Sequence, residues 1–137
     1  MNRKDFEIMA PVGSWESLAA ALAAGADAVY FGIEGLNMRS RSSANFTADD
    51  MARIAGICAE KGVRTYLTVN TVIYDNDMET MRMIISRARQ AGISAIIASD
   101  MAAIMYAREI GQEVHISTQV NVSNTEAVRF YSQFADV

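Results

Sequence analysis

Short apolar runs alternate with longer amphipathic segments along the whole chain. The runs have the length of buried strands, and each amphipathic segment has the spacing and start signals of a helix. Because a helix that joins neighbouring strands leaves them parallel, this alternation predicts an α/β fold of parallel (β/α) repeats. The predicted strands are 6–10, 28–32, 64–70, 95–99 and 114–118, and a sixth begins at 135. The predicted helices are 15–24, 48–61, 78–91, 101–110 and 124–134.

The first repeat, residues 6–32, shows the pattern in full. Ser14 precedes an Ala/Leu-rich stretch and is a good N-cap, since its hydroxyl can accept a hydrogen bond from the first helical turn. Gly25 follows the stretch and can adopt the left-handed conformation that ends a helix. A glycine also follows three later predicted helices, at Gly62, Gly92 and Gly111.

The number of repeats leaves two architectures open. A complete (β/α)₈ barrel needs about 250 residues, whereas this chain of 137 residues supplies five repeats and stops as another strand begins. We therefore expect a single domain over residues 1–137, the N-terminal part of a truncated TIM-like barrel and a fragment of a longer protein. An open flavodoxin-like sheet of five strands is the alternative. A partial barrel exposes its first and last strand edges, which predicts homo-oligomers formed through those edges.

Composition and charge narrow the class of protein. The chain is 51% apolar and 20% charged, as in globular proteins, and its net charge of −4 gives no general attraction to nucleic acid. The N-terminus has no apolar stretch long enough for a signal peptide or a membrane span, which predicts a cytoplasmic protein without a membrane partner. One cysteine, Cys58, and one histidine, His115, cannot form a closed zinc or iron–sulfur site, so we expect no cofactor or metal in this chain.

Polar side chains collect at the carboxyl ends of the predicted strands, where enzymes with parallel sheets place their sites. Strand alternation also puts a polar set on one face, and helices are expected to cover the opposite, apolar face. The polar face would then look into the barrel, where buried polar groups need partners or a ligand. This set comprises Glu7, Tyr30, Tyr66, Thr68, Asn70, His115, Ser117 and Gln119.

Candidate roles follow from these positions. We predict catalytic roles for His115, Ser117, Gln119, Asn70 and Asp100, and substrate binding by Arg39, Arg41, Asn45, Tyr66 and Asn121.

Several of these candidates also have a structural interpretation. His115 could be a satisfied interior histidine, and Asp100 could be a helix cap. Ser117 lies two residues from His115, so the two Cα atoms would be roughly 6–7 Å apart, which is weak evidence for a nucleophile and its base. Arg39 and Arg41 could grip a phosphate or a carboxylate, or could anchor their own loop.

Residues 9–32, M-A-P-V-G-S-W-E-S-L-A-A-A-L-A-A-G-A-D-A-V-Y-F-G, resemble the start of the collagenase-like peptidases, the peptidase family of unassigned catalytic type. Four later segments resemble the family in the same order: L-N-M-R-S-R-S-S-A-N-F-T, Y-L-T-V-N-T-V-I-Y-D, I-I-A-S-D and V-H-I-S-T-Q-V-N-V-S-N. The resemblance favours the barrel, since the family's N-terminal part is similar to a TIM barrel. The resemblance implies a surface at the ends of the strands, and it assigns an established catalytic role to none of the residues there. These residues are Arg39, Asn45, Asn70, Asp100, His115, Ser117, Thr118, Gln119 and Asn121.

The resemblance implies two activities for a longer parent protein. The first is a hydrolase of unassigned mechanism that cleaves peptides, collagen included. The second is a [4Fe–4S]-dependent hydroxylase of transfer or ribosomal RNA bases, or of a small aromatic substrate, whose cluster is held by four cysteines beyond this region. In both cases the isolated chain is expected to be inactive. The sequence shows no serine-protease triad, no H-E-x-x-H metal pair and no aspartic dyad motif, which argues against a standard protease.

Overall fold

The computed structural model describes residues 2–34 and 46–137. Within them, five parallel strands form one sheet in the order β1-β2-β3-β4-β5, and a helix follows each strand. The strands are β1 (Met9–Pro11), β2 (Ala28–Phe31), β3 (Arg64–Val69), β4 (Ala95–Ala98) and β5 (Val114–Ile116). The helices are α1 (Trp15–Ala23), α2 (Met51–Glu60), α3 (Met78–Ala91), α4 (Met101–Glu109) and α5 (Thr125–Tyr131).

The order of the strands decides between the two predicted architectures. Each strand pairs in parallel with the next strand along the chain. A flavodoxin-like sheet would reverse direction after its first strands, whereas a (β/α) barrel adds its strands in sequence. The predicted parallel repeats of a partial barrel are confirmed, and the open flavodoxin-like alternative is wrong.

The first strand is shorter than the apolar run predicts. Residues Arg3–Asp5 form a short 3-10 turn, and the strand begins only at Met9. The Asp27 carboxylate accepts hydrogen bonds from the Ile8 N–H (2.7 Å) and from the Arg3 guanidinium (2.8 Å). These bonds hold the start of the chain against the residue before β2, and Ile8 remains half exposed.

The last predicted elements also differ from the structure. Helix α5 ends at Tyr131 instead of 134, and no described strand begins at 135. The backbone of residues 135–137 nevertheless lies beside β5. The Asp136 N–H donates to the Val114 carbonyl (2.8 Å), and the Ile116 N–H donates to the Val137 carbonyl (2.7 Å).

The two faces of the sheet have different surroundings. The helix face carries Val29, Phe31, Leu67 and other apolar side chains that form the main core with α2, α3 and α4. The opposite face, called the inner face below, carries a small cluster of buried residues with polar neighbours. Strand register places these inner-face residues side by side: Ala28, Tyr30, Tyr66, Thr68, Ala95, Ile97 and His115. The predicted apolar helix face is confirmed, whereas the face predicted to be polar also carries Ala28, Ala95 and Ile97.

Candidate functional site

A groove of about 440 Å³ lies at the carboxyl ends of β3, β4 and β5. Because these strands are parallel neighbours, the residues that follow them meet at one edge of the sheet. The groove unites three of the predicted catalytic residues, Asn70, Asp100 and Gln119. Its lining comprises Asn70 and Val72 after β3, Ser99 and Asp100 after β4, Gln119 and Val120 after β5, and Tyr131 at the end of α5.

The carboxylate of Asp100 is occupied by two backbone donors. Its Oδ1 accepts a hydrogen bond from the Ala102 N–H (2.9 Å), which caps α4, and its Oδ2 accepts one from the Ile73 N–H (3.0 Å). The side chain therefore joins the loop after β3 to the start of α4. Asp100 positions the groove wall, in agreement with the helix-cap interpretation.

Gln119 lies in a short 3-10 turn, Thr118–Val120, directly after β5. The Ser117 hydroxyl accepts a hydrogen bond from the Gln119 N–H (3.3 Å), and the Ser117 N–H donates to the Ala98 carbonyl (2.8 Å). Buried Ser117 thus fixes the turn from which the exposed Gln119 side chain reaches the groove.

A second cavity, of about 730 Å³, lies between β5, α5 and residues 135–137. Two predicted site residues, Ser117 and Asn121, line this cavity and are not among the residues that line the groove. Asn121 has a left-handed backbone (φ 56°), a conformation that asparagine tolerates better than most residues. Most other lining residues are apolar, among them Ile116, Val122, Val128 and Ala135.

His115 and Tyr66 contact each other on the inner face. Their ring centroids are 4.7 Å apart. The Tyr66 hydroxyl donates to the Glu7 carboxylate, with distances of 2.9 and 2.8 Å to its two oxygens. Burial, and then the hydrogen bond to Glu7, raise the pKa of the Tyr66 phenol well above its ordinary value. His115 Nε2 lies 2.7 Å from Oε1 of Glu113.

Arg64 completes this group, which we call the amino-end network (Glu7, Arg64, Tyr66, Glu113 and His115). Its Nη2 lies 2.7 Å from Oε1 of Glu113, and its guanidinium carbon lies 5.2 Å from the centre of the Tyr66 ring. Arg64 opens β3, while the two carboxylates precede β1 and β5. The network therefore lies at the amino ends of the strands, and His115 is not among the groove residues.

The structure brings only part of the predicted site together. The predicted substrate-binding residues Arg39, Arg41 and Asn45 lie outside the described residues. Arg64, Glu113 and Tyr131 are among the contributors that were missing from the prediction. Glu113 shares a strand face with His115, two residues away, and alternation could have identified it. Tyr131 depends on where α5 ends and how it packs, and no local sequence signal marks it.

Acid is expected to weaken the amino-end network through Glu113. Burial raises the pKa of this carboxyl, but the hydrogen bonds from His115 and Arg64 outweigh burial and hold the pKa below its ordinary value of 4.5. A lowered pKa in the folded state stabilises the fold above the unfolded-state pKa, and this stabilisation is lost as pH falls through the folded-state value. We expect the urea midpoint of Glu113→Gln to depend less on pH between pH 6 and pH 3 than that of the unsubstituted chain.

A matched control for this experiment is Glu126→Gln, since Glu126 pairs with Arg129 on the exposed surface of α5. This substitution should leave the pH dependence of the midpoint unchanged, because exposed pairs contribute little. Equal pH profiles for Glu113→Gln and the unsubstituted chain would contradict the assignment.

The profile of peptidase family U32 matches residues 13–135, nearly the whole chain. The chain belongs to peptidase family U32. It is 70% identical over all 137 residues to a protein named "Collagenase" from Porphyromonas gingivalis, and covers 33% of that protein. It is 32% identical over 129 residues to "tRNA hydroxylation protein P1" from Bacillus subtilis, covering 93% of this chain and 30% of the relative. The chain thus spans about a third of the length of these relatives.

A solved U32 structure supports the fold. The U32 peptidase Mk0906 superposes with a TM-score of 0.75 at 10% identity, covering 94% of this chain and 55% of that chain. At this identity the match is evidence for the fold alone.

The residues of this U32 chain do not fit an iron–sulfur cluster. A [4Fe–4S] cluster takes four cysteine ligands, whereas the sequence has only Cys58. That cysteine is fully buried in α2, and burial raises the pKa of its thiol. Within residues 2–34 and 46–137, no group of three or more His, Cys, Asp or Glu side chains is arranged to hold a metal ion. No helix in those ranges is long and apolar enough to cross a membrane.

Proposed function

We propose that this chain is the substrate-binding part of a U32 enzyme that hydroxylates bases in RNA. The observation that carries the proposal is the chemistry of the groove, whose lining includes two residues with amide side chains, Asn70 and Gln119, and the aromatic residue Tyr131. An amide side chain offers both donors and an acceptor, as the edges of unpaired RNA bases do. The similarity to a tRNA hydroxylation protein over 93% of this chain supports the same function.

The geometry gives less support to a hydrolase with a serine nucleophile. His115 Nε2 faces Glu113, whereas the Ser117 hydroxyl accepts a hydrogen bond from the Gln119 N–H. The two side chains are thus engaged with different partners. Asp100, the carboxylate in the groove, is occupied by two backbone N–H groups and is poorly suited to act as a general base.

The role that we assign to this chain is binding and orientation. Hydroxylation converts a C–H bond of the base to C–OH and removes two electrons, so it needs an oxygen source and an electron acceptor. We assign no part of that redox step to these residues. Asn70 and Gln119 would hold the edge of the base, and Asp100 would keep the β3 loop in place around it.

The proposal can be tested in a longer protein. The Porphyromonas gingivalis relative is a suitable host, because its matched segment is 70% identical to this chain and can be replaced by it. Expressed in cells that lack their own tRNA hydroxylation proteins, the chimera should yield hydroxylated tRNA nucleosides by mass spectrometry. Combined Asn70→Ala and Gln119→Ala substitutions should reduce that yield at least tenfold. Gln133→Ala, which removes an exposed amide outside the groove, should not.

A folded chimera that produces no hydroxylated nucleoside would overturn the proposal. The second candidate is peptide hydrolysis, and the identity of 70% to a protein named collagenase favours it. In that reaction water cleaves an amide bond, leaving a carboxyl group and an amine. If the same chimera cleaves gelatin, and the groove substitutions abolish cleavage, hydrolysis is the function. We expect the isolated chain to be inactive in both assays.

A further inference from the structure

Tyr131 lies where the groove meets the apolar cavity, and it lines both. It is the last residue of α5 and is half-buried. Its carbonyl accepts hydrogen bonds from the Phe134 N–H (2.9 Å) and the Ala135 N–H (3.1 Å), which fix the backbone at this point. The Phe130 ring packs edge-on against the Tyr131 ring at 5.2 Å. The aromatic wall of the groove is therefore held by its own neighbours.

Among residues 2–34 and 46–137, the rest of the groove lining is uncharged apart from Asp100, whose carboxylate already accepts hydrogen bonds from two backbone N–H groups. No arginine, lysine or histidine is among the described residues that line it. An aromatic ring beside side-chain amides suits a flat, neutral ligand, which can stack on the ring and form hydrogen bonds along its edge.

We propose that Tyr131 is the stacking surface for the planar group of the substrate in this groove. The inference rests on the proposed function, since it takes an RNA base to be that planar group. It adds a specific residue and a specific interaction: the face of the Tyr131 ring contacts the ligand, and its hydroxyl is not required. Asn70 and Gln119 then act on the edge of the base and Tyr131 on its face.

The test measures the Kd of uridine for the 137-residue chain, from the changes in backbone amide chemical shifts during an NMR titration. Base stacking on an aromatic side chain is strong enough that its loss weakens binding by about tenfold or more. Tyr131→Leu should therefore raise the Kd for uridine at least tenfold, whereas Tyr131→Phe should stay within about twofold of the unsubstituted chain. Phe6→Ala is the matched control, because Phe6 is an exposed aromatic residue outside the groove and its loss should leave the Kd unchanged.

Each remaining outcome decides a different point. Equal Kd values for Tyr131→Leu and the unsubstituted chain, with dispersed spectra for both, would overturn the role of Tyr131. If the combined Asn70→Ala and Gln119→Ala variant still weakened binding in that case, the proposed function would stand without this inference. An equal loss in Tyr131→Phe would show that the hydroxyl makes the contact, and stacking would be wrong. Absence of uridine binding to the folded chain, with binding of a proline-containing peptide in its place, would overturn both proposals.

Discussion

Replacing Tyr66 with alanine is expected to lower the free energy of unfolding by about 3–5 kcal/mol, the usual cost of removing a large buried aromatic ring. The Tyr66 side chain is 1% exposed and packs with Ala28 and Ala95 on the inner face. The small neighbours cannot fill the space that the ring leaves. Since domains of this size are stable by only about 5–15 kcal/mol, the loss should be evident in urea unfolding followed by circular dichroism.

Tyr66→Phe separates the ring from its hydroxyl. It keeps the packing and removes only the hydrogen bond to Glu7, whose side chain is 40% exposed and can bind water instead. We therefore expect Tyr66→Phe to cost about 1 kcal/mol, the typical net value of one hydrogen bond. If both variants lost the same stability, packing on the inner face would not be the main contribution of Tyr66. If Tyr66→Ala is too unstable to purify, the milder Tyr66→Phe still measures the hydrogen bond.

Tyr66 links strands that are not neighbours in the sheet. Its hydroxyl donates to the carboxylate of Glu7, just before β1, and its ring contacts His115 on β5. These contacts cross β2 on one side and β4 on the other. The network thus ties together strands that share no backbone hydrogen bonds.

The parallel repeats could be predicted because their signals are local. Ser14 accepts a hydrogen bond from the Ser17 N–H as an N-cap, and Gly25 takes the left-handed conformation (φ 81°) at the end of the first helix. The start of β1 could not be predicted in this way. It depends on the bond between the Ile8 N–H and Asp27, a partner 19 residues away.

The groove was predicted in part for a topological reason. Once the strands are parallel, Asn70, Asp100 and Gln119 must meet at one edge, whatever their side chains do. Alternation also placed His115 on the correct face of the sheet, but the prediction put it at the carboxyl end of β5. Alternation determines which face a side chain lies on and does not determine the direction in which it leans along the strand. His115 turns towards Glu113, near the amino end.

Replacing Asp100 with alanine is expected to release the loop after β3 from the start of α4. The substitution removes the acceptors of the Ala102 and Ile73 N–H groups, and loss of an N-cap alone costs about 1 kcal/mol of stability, with a range of roughly 0.5–2. The decisive measurement is amide hydrogen exchange at Ile73, which should accelerate at least tenfold more than the global loss of stability explains. Under the proposed function, binding of uridine should weaken as well, because Asn70 and Val72, which line the groove, lie in this loop.

Two control variants separate the hydrogen bond from the Ile73 N–H to Asp100, which holds the loop after β3, from the hydrogen bond that caps α4. Asp100→Asn keeps one carbonyl oxygen, which can cap α4, but puts an NH2 group, which is only a donor, in place of the Oδ2 that accepts from the Ile73 N–H. We expect nearly normal stability in this variant together with fast exchange at Ile73. Asn124→Ala removes the side-chain cap of α5, which accepts from the Ala127 N–H, and should leave exchange at Ile73 unchanged. Continued protection of Ile73 in Asp100→Ala would mean that the loop is held by other contacts, and that Asp100 serves as a helix cap alone.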